Sequence, residues 1–285
     1  MQDRALAYAS QVLGPCDVVK DHSWGHQWSS VVQLRDRAGH EWFLKQHRDR
    51  DRYLAEVTAY LRWVPTLSDH APRLRAHDAT QRAIILSALP GHPARWPTAT
   101  IDPTQIRAET AMHHQAGALL RRLHNAHSEP QPQYAAARLE ELELLTRQAA
   151  NLLTPGELGF ARTEIQALAS LPAPRLVPCH RDYTMRNWLI DSGKVYMLDF
   201  EWTQLNAWVT DLTRLHIGPW RTRPDLRDAF LDGYGRELDD ADRVLLRADA
   251  ALTTVWLVIK ARESDQESFE RANREALHRL MAEAW

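Results

Sequence analysis

The chain has 285 residues, is 44% hydrophobic and 25% charged, and carries a formal net charge of −2 with a pI near 6.7. This is the composition of a globular protein with a real core, long enough for one large domain or for two lobes sharing a cleft. It excludes a nucleic-acid binder that relies on a broad basic surface, and two cysteines, Cys16 and Cys179, fit neither a zinc site nor a disulfide framework.

The opening MQDRALAYAS has no apolar signal core, and no run approaches the roughly 18 apolar residues of a membrane span. The longest apolar stretch, TTVWLVI at 253–259, sits between charges. No nucleic-acid and no membrane partner is expected, and a reducing cytoplasm is the expected location. Lysine occurs only at Lys20, Lys45, Lys194 and Lys260 while arginine and alanine abound, which suggests a GC-rich genome.

In chain order, 16–24 and 28–36 carry short β-branched runs that predict strands; 35–39 is a turn and 40–47 the next strand. Residues 51–64 have helical period, with Leu54, Val57, Leu61 and Val64 on one face, and Pro65 stops the helix. Two more strands are predicted at 73–77 and 82–89. Pro90, Gly91, Pro93 and Pro97 then make a joint, so a lobe boundary is expected near 87–92, dividing 1–88 from 89–285 with a hinge at about 86–92. A long helix follows over 101–127, with Asp102 as cap and Pro103 in its first turn. Helical pattern resumes at 134–153 and 155–170. A proline-rich approach leads to a strand near 180, and 187–200 reads as a hairpin turning at Asp191-Ser192-Gly193-Lys194. Beyond about 205 the pattern is mostly helix, broken at Pro219, Pro224 and Gly233–Gly235. There are no repeats. The expected fold class is α+β: a small β-rich lobe, a joint, and a larger helical lobe carrying one polar hairpin. Clefts between lobes are common ligand sites.

The chemistry concentrates in CHRDYTMRNWLID, residues 179–191, and in Asp199 twelve positions after Asn187. A carboxylate and a carboxamide both offer oxygen to a hard cation. Asp182 and Asn187 are the ends of one loop and Asp199 ends the returning strand. A hairpin can therefore bring Asn187 and Asp199 to one ion while Asp182 faces a hydroxyl. Taken singly, these are turn residues, and Lys45 is a surface lysine. Lys45 gains weight from its apolar strand, WFLK, and from Glu56 in the helix that follows. Cys179 reads as a small buried residue, and His113-His114 has no partner at helical spacing for a zinc site.

His180-Arg181-Asp182 followed four residues later by Asn187 matches the H-R-D-x-x-x-x-N loop of protein kinases, and Asp199-Phe200 begins like D-F-G. Glu201 replaces the glycine, however, and no A-P-E segment follows. With LSALPGHP at the joint, LLRRLHNA ending the long helix, VYMLDFEW and Asp211-Leu212, the chain resembles the aminoglycoside phosphotransferase and choline kinase superfamily, over most of its length and in the right order. The resemblance implies a bilobal protein-kinase-like fold. It implies Asp182 as catalytic base, Asn187 and Asp199 as magnesium ligands, Lys45 as the phosphate-binding lysine with Glu56 as its ion-pair partner, His180 and Asp211 as supports of the loop, and 86–91, with Ser87 and Leu89, as the hinge stretch whose backbone meets adenine. The nucleotide loop, HSWGHQWSS, is the poorest match: Gly25 is its only glycine, leaving Ser23, Ser29 and Ser30 as donors to phosphate. A G-x-x-x-x-G-K-[ST] loop is absent.

The implied activity is magnesium-dependent transfer of the γ-phosphate of ATP or GTP to a hydroxyl of a small cationic antibiotic. An aminoglycoside or a capreomycin- or viomycin-type cyclic peptide is the leading class. A housekeeping kinase for choline, an amino alcohol or a sugar is the alternative, and a non-catalytic nucleotide-binding pseudokinase the second. A polycationic acceptor wants an acidic wall. The slightly acidic C-terminal part offers Glu201, Asp211, Glu263 and Asp265 as candidates. The expected assembly is a monomer or homodimer.

Overall fold

The structure, a computed structural model, describes residues 2–23, 28–94, 102–149 and 152–283. The small lobe contains α1 (Gln2–Leu13), β1 (Cys16–Asp21), β2 (Ser29–Asp36), β3 (Glu41–His47), α2 (Arg50–Arg62), β4 (Leu74–Asp78) and β5 (Ala83–Ser87). Its strands form one antiparallel sheet in the order β1-β2-β3-β5-β4. Alternation decides what each face carries. Val32, Leu34, Leu44, Ala83 and Ile85 point to one side, where Ala5 and Ala9 of α1 cover them. Lys45 and His47 point to the other, toward α2.

The opening segment, for which no element was expected, is a helix, α1, whose fully buried residues are the small Ala5 and Ala9, with Leu6, Tyr8, Val12 and Leu13 partly buried beside them. One local expectation is corrected here. In α2, Leu54 and Leu61 are exposed, while Tyr53, Glu56, Val57 and Tyr60 are buried. The buried stripe is rotated by about one residue, because the face that meets Lys45 must include the polar Glu56. Asp49 caps α2, its side chain accepting from the Asp51 and Arg52 amides.

The small sheet ends at Ser87, and the next strand, β6 (His92–Pro93), pairs with the helical lobe. Gly91 between them has φ 97°, and a Cβ there would lie 2.4 Å from the Ile190 carbonyl oxygen. Only glycine lets the joint pass so close to the hairpin behind it.

The large lobe contains α3 (Pro103–His124), β7 (Glu129–Pro130), α4 (Tyr134–Gln148), α5 (Pro155–Ala167), β8 (Arg175–Cys179), β9 (Trp188–Asp191), β10 (Lys194–Met197), β11 (Gln204–Ala207), α6 (Thr213–His216), α7 (Pro224–Tyr234), α8 (Asp240–Glu263) and α9 (Glu267–Ala282). Asp102 caps α3 by accepting from Thr104, with Pro103 in the first turn. Capping boxes start α5, at Thr154 and Glu157, and α8, at Asp239 and Asp242. The strands form two short antiparallel sheets, β10-β9-β6 and β11-β8-β7. Gly233 does not break its helix: α7 runs to Tyr234, and Gly235 ends it in the left-handed conformation. Trp188, Tyr183 and Phe200 are fully buried beneath the hairpin. Among the described residues no helix is long and apolar enough to cross a membrane.

Candidate active site

β8 delivers the chain to His180, and the following loop is held from beneath. Asp211 is buried, and its two oxygens accept from the backbone amides of His180 at 2.7 Å and Arg181 at 2.6 Å. Arg181 consequently sits at φ 67°, a conformation that a non-glycine residue adopts only when its surroundings enforce it. His124 of α3 lies 3.0 Å from Asp211 and 2.8 Å from the Tyr234 hydroxyl, which ties the loop to α3 and α7. The His180 ring lies 2.7 Å from the Leu198 carbonyl, joining the loop to the strand that leads into Asp199.

At the loop's tip, Asp182 is buried. Its Oδ2 accepts from Asn187 Nδ2 at 3.0 Å and from Arg186. Asn187 Nδ2 also donates to the Asp182 carbonyl at 2.8 Å. Among the described residues Asp182 Oδ1 is buried without a hydrogen-bond partner, and the Arg214 guanidinium stands 3.7 Å away. With its amide nitrogen committed to Asp182, Asn187 keeps its oxygen for another partner.

Asp199 lies across the hairpin, brought near Asn187 by the hydrogen bond from the Leu198 amide to the Asn187 carbonyl, 2.9 Å. It too has positive φ, 67°. Its Oδ1 meets Lys45 Nζ at 2.6 Å. Lys45 also lies 2.9 Å from Glu56 and 3.0 Å from Glu201, so one ammonium faces three carboxylates. Burial alone would pull the lysine down, but those charges hold it well above its usual range. Burial likewise pushes Asp199 and Glu56 up, and Lys45 more than reverses this, leaving both below the usual carboxylate range. Asn187 Oδ1 and the remaining Asp199 oxygen are hard oxygen donors at facing positions of one hairpin, a donor set that fits Mg2+.

Several expected ligand residues have other occupations. Glu201 is buried and turned toward the small lobe, where it meets Lys45, the Ser29 hydroxyl at 3.3 Å and Arg52 at 3.3 Å. It is therefore no acceptor-side acid. The same contact takes the one hydroxyl proton Ser29 would offer a phosphate. Asp211 is also removed from the acceptor wall, because it is buried beneath the loop between the His180 and Arg181 amides and His124. Asp265 lines a groove of about 330 Å³ along α9 with Arg262, Arg271 and Arg274, a lining that does not include Asp182. Glu263 pairs with Lys260 at 2.6 Å. Ser23 accepts the Val31 amide at 3.0 Å and keeps its own proton; Ser30 is half-buried, and Gly25 lies outside the described residues. The Ser87 hydroxyl accepts from the Arg73 amide, and Ser87 is followed by the half-buried Leu89.

Four participants had not been singled out from the sequence. His47 lies 2.9 Å from Glu56 Oε2, the same oxygen that Lys45 meets. Arg52 is sandwiched between the rings of Trp202 at 3.6 Å and Trp28 at 4.4 Å. Arg186 and Arg214 flank Asp182. Only His47, two residues beyond Lys45 on the same strand face, and Arg186, inside the quoted motif, had a pattern that could have found them.

A family model described as the APH "Phosphotransferase enzyme family" matches residues 23–247. No curated protein matched the chain. Among solved structures, macrolide 2'-phosphotransferase MphH from Brachybacterium faecium is 19% identical, covering 97% of this chain and 98% of that chain with TM-score 0.65. A choline/ethanolamine kinase family protein from Mesorhizobium loti is 19% identical, covering 99% and 94%, with TM-score 0.68. A streptomycin–ATP–APH(2")-IIa ternary complex is 14% identical, covering 98% and 96%, with TM-score 0.68. These likenesses establish a shared kinase-like fold.

Proposed function

The chain belongs to the phosphotransferase enzyme family, and from that premise we propose that it moves the γ-phosphoryl group of ATP to a hydroxyl of a small basic antibiotic. The acceptor class in this reading is an aminoglycoside or a capreomycin- or viomycin-type cyclic peptide. The observation that carries phosphotransfer is the meeting of Lys45, Asp182, Asn187 and Asp199, drawn from three separated segments, at the junction of the lobes.

Phosphoryl transfer asks a protein mainly for positioning and charge. In this reading Asp182 Oδ1, buried and without a hydrogen bond, takes the acceptor's proton. Lys45 holds the nucleotide phosphates, with Glu56 fixing its direction. Asn187 and Asp199 would hold magnesium, which when bound offsets the charge on the phosphate oxygens. Asp211 fixes the loop without touching substrate. Positive groups of the acceptor would lie away from Asp182, where Arg186 and Arg214 already stand, and Glu263 is the candidate acid for them. Support for the antibiotic class comes from fold relatives named as gentamicin and streptomycin–ATP complexes. Phosphate on the hydroxyl would add bulk and negative charge to a drug that depends on positive charge. A cytoplasmic location belongs to the same reading, and GTP remains the alternative donor. The second reading, a kinase for choline, an amino alcohol or a sugar, is favoured by the choline/ethanolamine kinase family relative.

The test is a coupled assay with Mg2+ and ATP or GTP against aminoglycosides, tuberactinomycin peptides, choline and sugars, with mass spectrometry for one added phosphoryl group. Asp182→Asn is the control: turnover nearly abolished, nucleotide affinity within a few-fold. A hit on one antibiotic carries the proposal. A hit on choline or a sugar alone moves the enzyme to metabolism, and nucleotide binding without turnover on any acceptor makes it a binding module. Full activity of Asp182→Asn removes the base assignment.

A further inference from the structure

The cations around this site differ in how they are held. Lys45 is enclosed by three carboxylates. Arg52 is largely buried between two tryptophans, and Arg214 is four-fifths buried. Arg186 differs: its side chain is 61% exposed, and it rests on Asp182 Oδ2. An ion pair that open contributes little to stability. It does place a guanidinium directly at the expected base. Arg186 immediately precedes Asn187, which the Leu198 amide joins to the strand end carrying Asp199, so it sits where the base and the expected metal ligands adjoin, and the charges of Asp199 and Glu201 act on it as well.

That is the space a phosphoryl group must cross. In the transfer, the acceptor oxygen bonds to the γ-phosphorus and the hydroxyl proton goes to Asp182. The bond from phosphorus to the bridging oxygen breaks, leaving its electron pair on the β-phosphate of ADP. Negative charge is spread over three equatorial oxygens in the transition state, and of the two arginines that flank Asp182 it is Arg186 whose side chain is exposed and so able to follow them. We propose that Arg186 is a catalytic residue that swings from Asp182 onto the equatorial oxygens of the phosphoryl group in flight. Its planar fork of N–H donors matches two phosphate oxygens at once. It stays protonated throughout and neither gains nor loses a bond. The catalytic loop thus carries both the base and, four residues later, the counter-charge for the transferred group.

This rests on the phosphotransfer reading above, so the experiment separates the two. In the full-length protein with Mg2+, Arg186→Ala and Arg186→Lys are compared with wild type for turnover, with the acceptor found by the panel or with water, and for KM of ATP. Affinities for ADP and for ADP with aluminium fluoride, which mimics the planar phosphoryl group, are measured by calorimetry. Arg186→Ala is expected to lower kcat roughly hundredfold or more, the scale of removing one transition-state donor. ADP affinity, KM for ATP and Tm should hold within about threefold or a degree or two. The extra affinity contributed by aluminium fluoride should disappear, and Arg186→Lys should fall between. Turnover within about threefold of wild type, or retained aluminium fluoride affinity, overturns the role of Arg186 alone. A wild type that transfers phosphate to nothing, water included, overturns the phosphotransfer reading and this inference with it.

Discussion

Lys45 shows how much of one residue's role lies in its neighbours. An ammonium has three donors, and here Glu56, Asp199 and Glu201 surround it. Two of them come from the other lobe. Asp199 therefore starts as the partner of Lys45 and would change partners when a magnesium nucleotide arrives. Asp199→Ala should leave the lysine held by Glu56 and Glu201 and the fold intact. It should weaken nucleotide binding in magnesium by tenfold or more, and leave magnesium-free binding nearly unchanged. Calorimetry with and without the metal checks this; equal affinity in magnesium for variant and wild type would remove Asp199 from the metal site. At this scale the motif residues were legible because their types and spacing are tied to one chemistry. Glu201 was misread because nothing in DFEW says which way the side chain turns. Arg186 was passed over although it sits inside the motif, since an arginine near an aspartate is an ordinary surface pair until its position beside a base is known.

The elements owe their fit to residues whose importance is invisible in isolation. Gly117 of α3 and Gly233 of α7 have no Cβ where the two helices cross. A Cβ at Gly233 would lie 1.9 Å from the His114 carbonyl oxygen, and one at Gly117 would lie 2.1 Å from that of Phe230. The sequence made Gly233 a breaker because glycine disfavours helix interiors; close approach of a second helix reverses that argument. Gly233→Ala should therefore destabilise by about 1–3 kcal/mol or more, read as a drop in Tm. Gly159→Ala, on α5 with open space around its Cβ position, should be neutral or slightly stabilising. A harmless Gly233→Ala would mean that the helices can part without loss. The α2 error has the same origin: two stripes, one residue apart, both look apolar, and only the partner decides. The one with Glu56 wins because Lys45 lies beneath it.

Across the whole molecule the lobes meet through charge. Lys45–Asp199, Lys45–Glu201 and Arg52–Glu201 all cross the junction, and the hydrophobic core beneath them runs from Tyr53 and Tyr60 of α2 to Phe200 and Leu252. Global stability also has a pH signature. His113 is fully buried in α3, its Nδ1 bonded to the Glu109 carbonyl at 2.9 Å and its Nε2 without a partner among the described residues. Burial pushes it down to about 4. The unfolded chain takes up the proton near pH 6.5 and the folded chain only near 4, so stability falls as pH drops through that window and levels off below it. The contribution is on the order of 3 kcal/mol. Urea unfolding at pH 7 and 4.5 should show a smaller loss for His113→Gln than for wild type; equal losses would mean that the histidine is protonated in the folded state. The sequence alone determined the five strands of the small lobe and the long helices, the cap at Asp102 with Pro103 in the first turn, the family resemblance, the loop that carries Asp182 and Asn187 and the strand end that carries Asp199, because these follow from local periodicity and from residue types whose chemistry admits few alternatives. Only the tertiary structure decided that Glu201 and Ser29 join the lobes, that Asp211 is buried beneath the loop, that Gly233 is a contact, and that Arg186 stands exposed at the base. Direction, burial and approach are properties of side chains in three dimensions, and spacing along a chain does not contain them.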